Sequence, residues 1–395
     1  MPRLKSQEKL KTLLGEYYTS LSSPLAWCTS AGPAEILRAL GFQVYFPENH
    51  GAILGASRLA EKYIPRAHQA GFGGEICSYL TSDIGAWLSG ATPLREAYGL
   101  PSIPKPDLIV YCTNQCREVA DWFGFFGREL GVPVVGIHPP RHLEEVAEDD
   151  IRHVVSRYRD LIRVGEEIRG ETLDPKNLRR VVALSREGSD LWKRVLGTAR
   201  RTPSPLSFFD GTILMAPIVI LRGTRACVEF YEDLLRELED GVGPAVPGER
   251  ARIYWEGMPI WGRLRSLADF FVEQKAAVVA STYCNSWVFD DFDPDRPLES
   301  MALAYTRIFI NRSENAKLVV IREMIDDFGI DGVVFHDSKT CFNNSNNRFG
   351  LDRRVREETG KPTIVVNGDL NDLRFFSDLQ TRTILETFVM QIARD

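Results

Sequence analysis

Three cysteines sit where a folded α/β chain would bring sulfur to the ends of regular elements. They are Cys77 in Gly-Glu-Ile-Cys-Ser-Tyr, Cys116 in Cys-Thr-Asn-Gln-Cys and Cys341 in His-Asp-Ser-Lys-Thr-Cys. Each follows a segment that reads as a strand or opens one that reads as a helix. Cys77 and Cys116 also fall near expected helix N-termini, where free amides and the dipole favour negative charge. Three thiolates meeting in one crevice would hold an iron–sulfur cluster and leave one iron without a protein thiolate. That iron would take water, a hydroxyl or substrate, and serve as a Lewis acid or an electron-transfer contact. The competing reading is that these are small buried hydrophobes, with Cys77 a helix-start residue and Cys112 and Cys116 an i, i+4 core pair. No Cys-x-x-Cys pair occurs, so spacing alone does not decide between them.

Other groups could serve the same crevice. Glu48-Asn49-His50 closes an expected strand, and either Glu48 or His50 would supply a proton donor or base near the open iron. The alternative is a plain turn with a solvated His50. His336, five residues before Cys341, reads as a donor to the cluster's surroundings or as a polar cap. Arg252 to Trp261 is aromatic-rich and suits a flat pocket or an interface between lobes. Arg58 and Arg348 are candidates for phosphate contacts or ordinary surface residues. No Gly-x-Gly-x-x-Gly follows the first strand, and no Gly-x-x-x-x-Gly-Lys-Ser/Thr occurs, so neither a dinucleotide fold nor a bound nucleotide is expected. Gly-x-Ser-x-Gly and His-Glu-x-x-His are also absent.

The elements that must position these residues follow from the hydrophobic pattern. At 395 residues the chain is long enough for two lobes. Its 44% hydrophobic and 26% charged content suits a globular protein. A net charge of −6 gives no support for a nucleic-acid partner. No apolar run approaches the roughly 20 residues that span a bilayer, and the N-terminus lacks a signal-peptide core, so a cytoplasmic protein without a membrane partner is expected. Seven cysteines, an odd number in a long chain, do not suggest a disulfide framework.

Continuous apolar runs at Leu25–Ser30, Gln43–Phe46, Leu108–Tyr111 and Val132–His138 read as strands of a parallel sheet covered on both faces. Pro33 opens a helix that Gly41 ends, and another helix runs from about Cys116 to Leu130. From His142 to Arg201 the pattern is helical and highly charged, Leu206–Pro217 is ambiguous, and Thr224–Leu238 is helical. Gly241–Gly248 is the best linker. Strands resume at Arg252–Trp255, Ala277–Thr282, Gly332–Phe335 and Thr363–Val366, with helices at about 259–274, 299–310, 313–328 and 379–393. The expectation is an α/β protein of two doubly wound parallel-sheet lobes: an N-terminal lobe (1–141), a helical insert or inter-lobe layer (142–248) and a C-terminal lobe (249–395). Ligands of such sheets bind outside the carboxyl ends of the strands. Those ends carry Cys28, Glu48 to His50, Cys112 with Cys116, Tyr283 with Cys284, and His336 to Cys341.

With these residues in view, Ala26–Gly41, Tyr45-Phe-Pro-Glu-Asn-His-Gly51 and Ile76–Ser82 resemble the 2-hydroxyacyl-CoA dehydratase and benzoyl-CoA reductase family. The resemblance continues through Thr113–Trp122, Tyr254–Trp261, Ala280–Tyr283 and His336–Cys341, in order over nearly the whole chain. The Tyr-Phe-Pro-Glu-Asn-His and Thr-Asn-Gln-Cys-Arg segments are most similar to the larger (B-type) cluster-binding subunit of ATP-dependent benzoyl-CoA reductase. The resemblance implies a [4Fe-4S] cluster on Cys77, Cys116 and Cys341 in the crevice between the lobes. It implies a homologous second cluster-binding subunit, a separate ATP-hydrolysing iron–sulfur activator and an acyl-CoA substrate. Cys28, Cys112 and Cys284 are extra thiols that leave room for a double-cubane cluster. The expected activity is ATP-dependent reduction of an aromatic acyl-CoA, benzoyl-CoA or a relative, to a cyclic dienoyl-CoA. The alternatives are a subunit of a 2-hydroxyacyl-CoA dehydratase and an electron-relay subunit whose partner holds the substrate.

Overall fold

A computed structural model describes residues 4–394. Among the described residues, eight strands form two separate four-stranded sheets. In the first, β1 (Leu25–Cys28), β2 (Gln43–Tyr45), β3 (Leu108–Cys112) and β4 (Val134–Ile137) lie in the order β2-β1-β3-β4. In the second, β5 (Ala251–Glu256), β6 (Ala276–Ser281), β7 (Gly332–Ser338) and β8 (Thr363–Gly368) lie in the order β6-β5-β7-β8. Every pairing is parallel, and β1, β5 and β6 are buried along their full length. Of these, β1 and β5 are central and β6 is an edge strand, and helices must cover such apolar strands on both faces.

The two sheets share one winding pattern. Each starts in the middle, steps outward once, and returns to build the other side. That reversal opens a crevice beyond the carboxyl ends of β1 and β3 in the first sheet, and of β5 and β7 in the second. The lobes meet closely there. Gly55 permits the contact, because a Cβ on it would lie 1.9 Å from Asn371 Oδ1. The Asn371 amide in turn donates to Gly51 O at 2.7 Å and Ser82 Oγ at 3.0 Å.

The middle of the chain is helical: Glu148–Arg169, Pro175–Gly197, Phe208–Leu214, Ala216–Ile220 and Arg225–Glu239. The ambiguous Leu206–Pro217 stretch is therefore helix, entered through a Ser207–Asp210 capping box. Further helices at Ala60–Gln69, Ser78–Leu88 and Leu94–Tyr98 lie between β2 and β3 along the chain. Among the described residues, no helix is long and apolar enough to cross a membrane.

Two local differences from the sequence pattern matter for the site. Glu48-Asn49-His50 is not a turn but the first turn of the helix Pro47–Ala56. Pro47 occupies a position where its fixed φ suits a helix and its missing N–H costs nothing. The helix expected from Cys116 starts at Glu118 instead, which leaves Cys116 in the loop beyond β3.

Candidate functional site

A cavity of about 1180 Å³ lies where the crevices of the two sheets face each other, and Cys77, Cys116 and Cys341 all line it. All three are free thiols, part-buried rather than sealed in the core. Cys77 caps the helix Ser78–Leu88, Cys116 sits between β3 and the helix Glu118–Leu130, and Cys341 follows β7. Two thiols thus come from the first lobe and one from the second. They are near enough to act on each other's ionisation. Burial raises each thiol, Cys116 to about 12. The charges of Cys341 and Cys116 raise Cys77 further, and that of Cys116 raises Cys341.

Hydrogen bonds tie the three cysteine loops together in pairs. Ser78 N–H donates to Thr340 Oγ1 at 3.0 Å, linking the neighbours of Cys77 and Cys341. Both residues then converge on the buried carboxyl group of Asp369, which accepts from Ser78 Oγ, from Thr340 N–H at 2.8 Å and from Thr340 Oγ1 at 2.7 Å. The Cys77 N–H is aimed at the carboxyl of Glu118, two residues beyond Cys116. Arg141 closes the third side. Its guanidinium donates to Gln115 O at 3.2 Å on the Cys116 loop and to Asn343 Oδ1 at 2.9 Å on the Cys341 loop.

By donor type, three free thiols lining one cavity are what an iron–sulfur cluster would need. Among the described residues, no three or more His, Cys, Asp or Glu side chains gather tightly enough to hold a metal ion, as a mononuclear site with ligands about 2.3 Å from one ion would require. A cluster spreads its thiolates over several metal corners. Burial raises the cavity thiols as it raises the core cysteines, so they would become thiolates only beside a compensating cation such as a coordinating metal. Arg141 lies close enough to Cys116 to lower its pKa against the effect of burial.

Glu48 also lines the cavity. Its Oε2 accepts from Ser30 N–H, and its Oε1 accepts from Gln115 Nε2 at 3.1 Å. Gln115 is the neighbour of Cys116, so the carboxyl group stands beside that loop. Burial raises the Glu48 pKa, opposed by those hydrogen bonds and by Arg222. His50 is turned away and does not line the cavity. Its Nδ1 lies 2.5 Å from Asp83 Oδ1 and its Nε2 lies 2.9 Å from Thr92 Oγ1. Asp83 also accepts from Trp122 Nε1 at 2.9 Å, so His50 belongs to a buried network that joins three helices.

The remaining candidates divide similarly. Cys28, Cys112 and Cys284 are buried at 0–2% exposure and do not line the cavity. His336 is buried, with Nδ1 2.6 Å from Met258 O and Nε2 without a partner among the described residues, and burial lowers its pKa. Its Nε2 faces Gly368 rather than the cavity. Arg58 reaches the cavity rim and donates to Gly262 O at 3.0 Å. Arg348 instead pairs with Asp337 at 2.6 Å and covers the Phe342 ring. Within the aromatic-rich stretch, Met258 and Trp261 line the cavity, whereas Arg252, Tyr254 and Trp255 are core residues. Sequence reasoning missed Asp369, Glu118 and Arg141. Their only early signal is proximity in the chain to a cysteine or to a strand end.

Known proteins resemble this chain over almost all of its length. The (R)-2-hydroxyisocaproyl-CoA dehydratase alpha subunit of Clostridioides difficile is 28% identical, covering 96% of this chain and 94% of the relative. The (R)-phenyllactyl-CoA dehydratase alpha subunit of Clostridium sporogenes is 29% identical, covering 92% and 88%. A benzoyl-CoA reductase subunit of Thauera aromatica is 26% identical, covering 88% and 83%. The family model of the 2-hydroxyglutaryl-CoA dehydratase D-component matches residues 29–392, a span that takes in β2 to β8 and every cavity cysteine, and the chain belongs to that family.

Proposed function

We propose that this chain is a subunit of a 2-hydroxyacyl-CoA dehydratase, with a [4Fe-4S] cluster held by Cys77, Cys116 and Cys341. The observation that carries the reading is the set of three free thiols, drawn from both lobes, on one cavity wall and braced in pairs by Asp369, Glu118 and Arg141. Bound there, such a cluster supplies a one-electron centre and an iron corner open to a substrate oxygen.

The chain's own residues do the rest. The cavity has room for an acyl group and its thioester, and its walls are largely apolar, which keeps water from competing for protons and electrons. Glu48, in the acid form favoured by burial, carries a proton to the departing hydroxyl on the side of the Cys116 loop. Ser30 N–H and Gln115 hold that carboxyl in place. His50, with both ring nitrogens engaged, carries no step.

The order of the two enzyme readings is thus the reverse of the one expected from the sequence. Three dehydratase alpha subunits match at higher identity and coverage than the benzoyl-CoA reductase relative, and a fourth at lower identity. Reduction of an aromatic acyl-CoA stands as the second reading, supported by that relative. The relatives are named as subunits, which supports partner subunits for this chain; a homologous second subunit and an ATP-driven electron donor are the partners that either reading calls for. Anaerobic co-purification with the products of neighbouring genes, iron analysis, and assays with 2-hydroxyacyl-CoA and benzoyl-CoA test the proposal. Absence of iron from oxygen-free preparations would overturn it, and turnover of benzoyl-CoA alone would transfer the assignment to the reductase reading.

A further inference from the structure

The helix Pro47–Ala56 contributes one of its faces to the cavity wall. Glu48, Asn49, Ala52, Ile53 and Ala56 all line the cavity, at the spacing that places residues side by side along a helix. Arg58, just past the last turn, lines it too. The rise of an α-helix sets Glu48 and Arg58 about 15 Å apart along this wall. Between them the small side chains of Ala52 and Ala56 leave room for a thin chain.

Arg58 is exposed and held in an unusual backbone conformation. Its φ of 58° lies in the left-handed region that favours glycine. The chain turns back there, with Arg58 N–H donating to Gly55 O and Leu59 N–H to Leu54 O, both at 2.9 Å. Such a helix end usually places glycine at this position, so an arginine there carries backbone strain of the kind stored at functional sites. The guanidinium is anchored at one point, where Nε donates to Gly262 O of the second lobe at 3.0 Å. Its two terminal nitrogens have no hydrogen bond or ion pair among the described residues. Arg265 follows Gly262 by three residues, is exposed, and reaches Asp269 only at 4.0 Å. Among the described residues, Arg58 and Arg265 are the only Lys or Arg residues that line the cavity. Its cationic side chains are thus confined to one stretch of rim, at the far end of the helix from Glu48.

We infer that Arg58, assisted by Arg265, binds the phosphate groups of the CoA moiety, so that the acyl-CoA lies along this helix with its thioester toward Glu48. The inference rests on the acyl-CoA reading above and gives that substrate a direction. Phosphate oxygens match the fork of N–H donors on a guanidinium, which grips them in parallel. The pantetheine arm between diphosphate and thioester is a flexible chain able to cover the length of the helix. The nucleotide end stays at the exposed rim, and the acyl end enters the part of the cavity lined by Glu48 and Cys116.

The test uses the complete complex, prepared anaerobically, and compares Arg58→Gly with the unaltered protein. Glycine suits the left-handed backbone, so the variant should melt close to the normal temperature and keep its iron. Two probes are titrated calorimetrically: a saturated acyl-CoA and the matching acyl-pantetheine, which keeps the thioester and lacks every phosphate. The unaltered protein binds the acyl-CoA more tightly. Arg58→Gly weakens that binding about 10- to 100-fold, as for loss of a hydrogen bond to a charged group, and binds the acyl-pantetheine as before. Repeating the comparison with acyl-dephospho-CoA divides the effect: a loss that disappears assigns Arg58 to the ribose phosphate, and one that persists assigns it to the diphosphate. Should Arg58→Gly fold poorly, Arg58→Lys serves instead, keeping the charge without the fork and losing less. An Arg58→Gly protein that binds acyl-CoA as tightly as the unaltered one overturns the inference and leaves the substrate reading standing. If the unaltered complex binds neither thioester probe, the substrate reading falls first and takes the inference with it.

Discussion

Ser78 and Thr340 are 262 residues apart, yet the backbone N–H of one meets the side-chain oxygen of the other at 3.0 Å. Each is the immediate neighbour of a cavity cysteine, and both are hydrogen-bonded to Asp369. Asp369→Ala would strand buried donors on both lobes, at a cost of about 3 kcal/mol in stability. It would also weaken metal retention about 10- to 100-fold, the usual effect of removing a group that orients a ligand. Thermal unfolding and iron analysis of the anaerobic protein check both. Normal iron content in a destabilised Asp369→Ala protein would mean that the clamp serves folding alone.

Replacing the cysteines one at a time separates cavity thiols from core thiols. Cys77→Ser, Cys116→Ser and Cys341→Ser should each abolish most iron binding and the associated visible absorbance. Cys28→Ser and Cys284→Ser should retain it, because those sulfurs are buried in packing contacts away from the cavity. Iron loss from Cys28→Ser in a well-folded protein would argue for a larger cluster.

Arg141→Met keeps much of the side-chain volume and removes the bridge between the Cys116 and Cys341 loops. Iron retention should fall about 10-fold or more, and the reduced cluster should become harder to form without the nearby positive charge. Redox titration measures that shift. An unchanged potential would limit Arg141 to a mechanical role.

Glu48 provides the pH dependence. Burial raises its pKa, so the protonated form persists to higher pH than for an ordinary carboxyl. Activity that needs this proton is present below the raised pKa and is lost as pH climbs through it. Glu48→Gln should lower kcat by about 10²- to 10⁴-fold and remove that alkaline limb from the profile. A variant with the same limb would show that another group sets it.

His50 should behave differently. His50→Ala leaves Asp83 and Thr92 short of a buried partner, costing about 1–3 kcal/mol. Activity measured well below the unfolding temperature should remain near normal. A large fall in kcat with unchanged stability would restore His50 to the chemistry.

The strands were legible because each is a continuous apolar run, and a buried parallel sheet leaves few other uses for Leu25–Cys28 or Ala276–Ser281. The cysteine placement was legible for the same reason, since strand ends mark where a doubly wound sheet opens. Glu48 and His50 were harder to separate. Both lie in one helical turn, and only the packing of Asp83, Thr92 and Trp122 shows that His50 points inward. Asp369 and Arg141 were invisible because nothing local distinguishes them. Their importance comes from contacts with loops far away in the chain, such as the 291 residues between Ser78 and Asp369.

That separation also bears on maturation. Cys77 and Cys116 leave the ribosome long before Cys341, and the carboxyl group that steadies two of the three loops emerges later still. A half-made chain would present an incomplete set of sulfurs with nothing to hold them in register. An inorganic group gripped by all three sulfurs could be seated only once the chain has been made through Cys341.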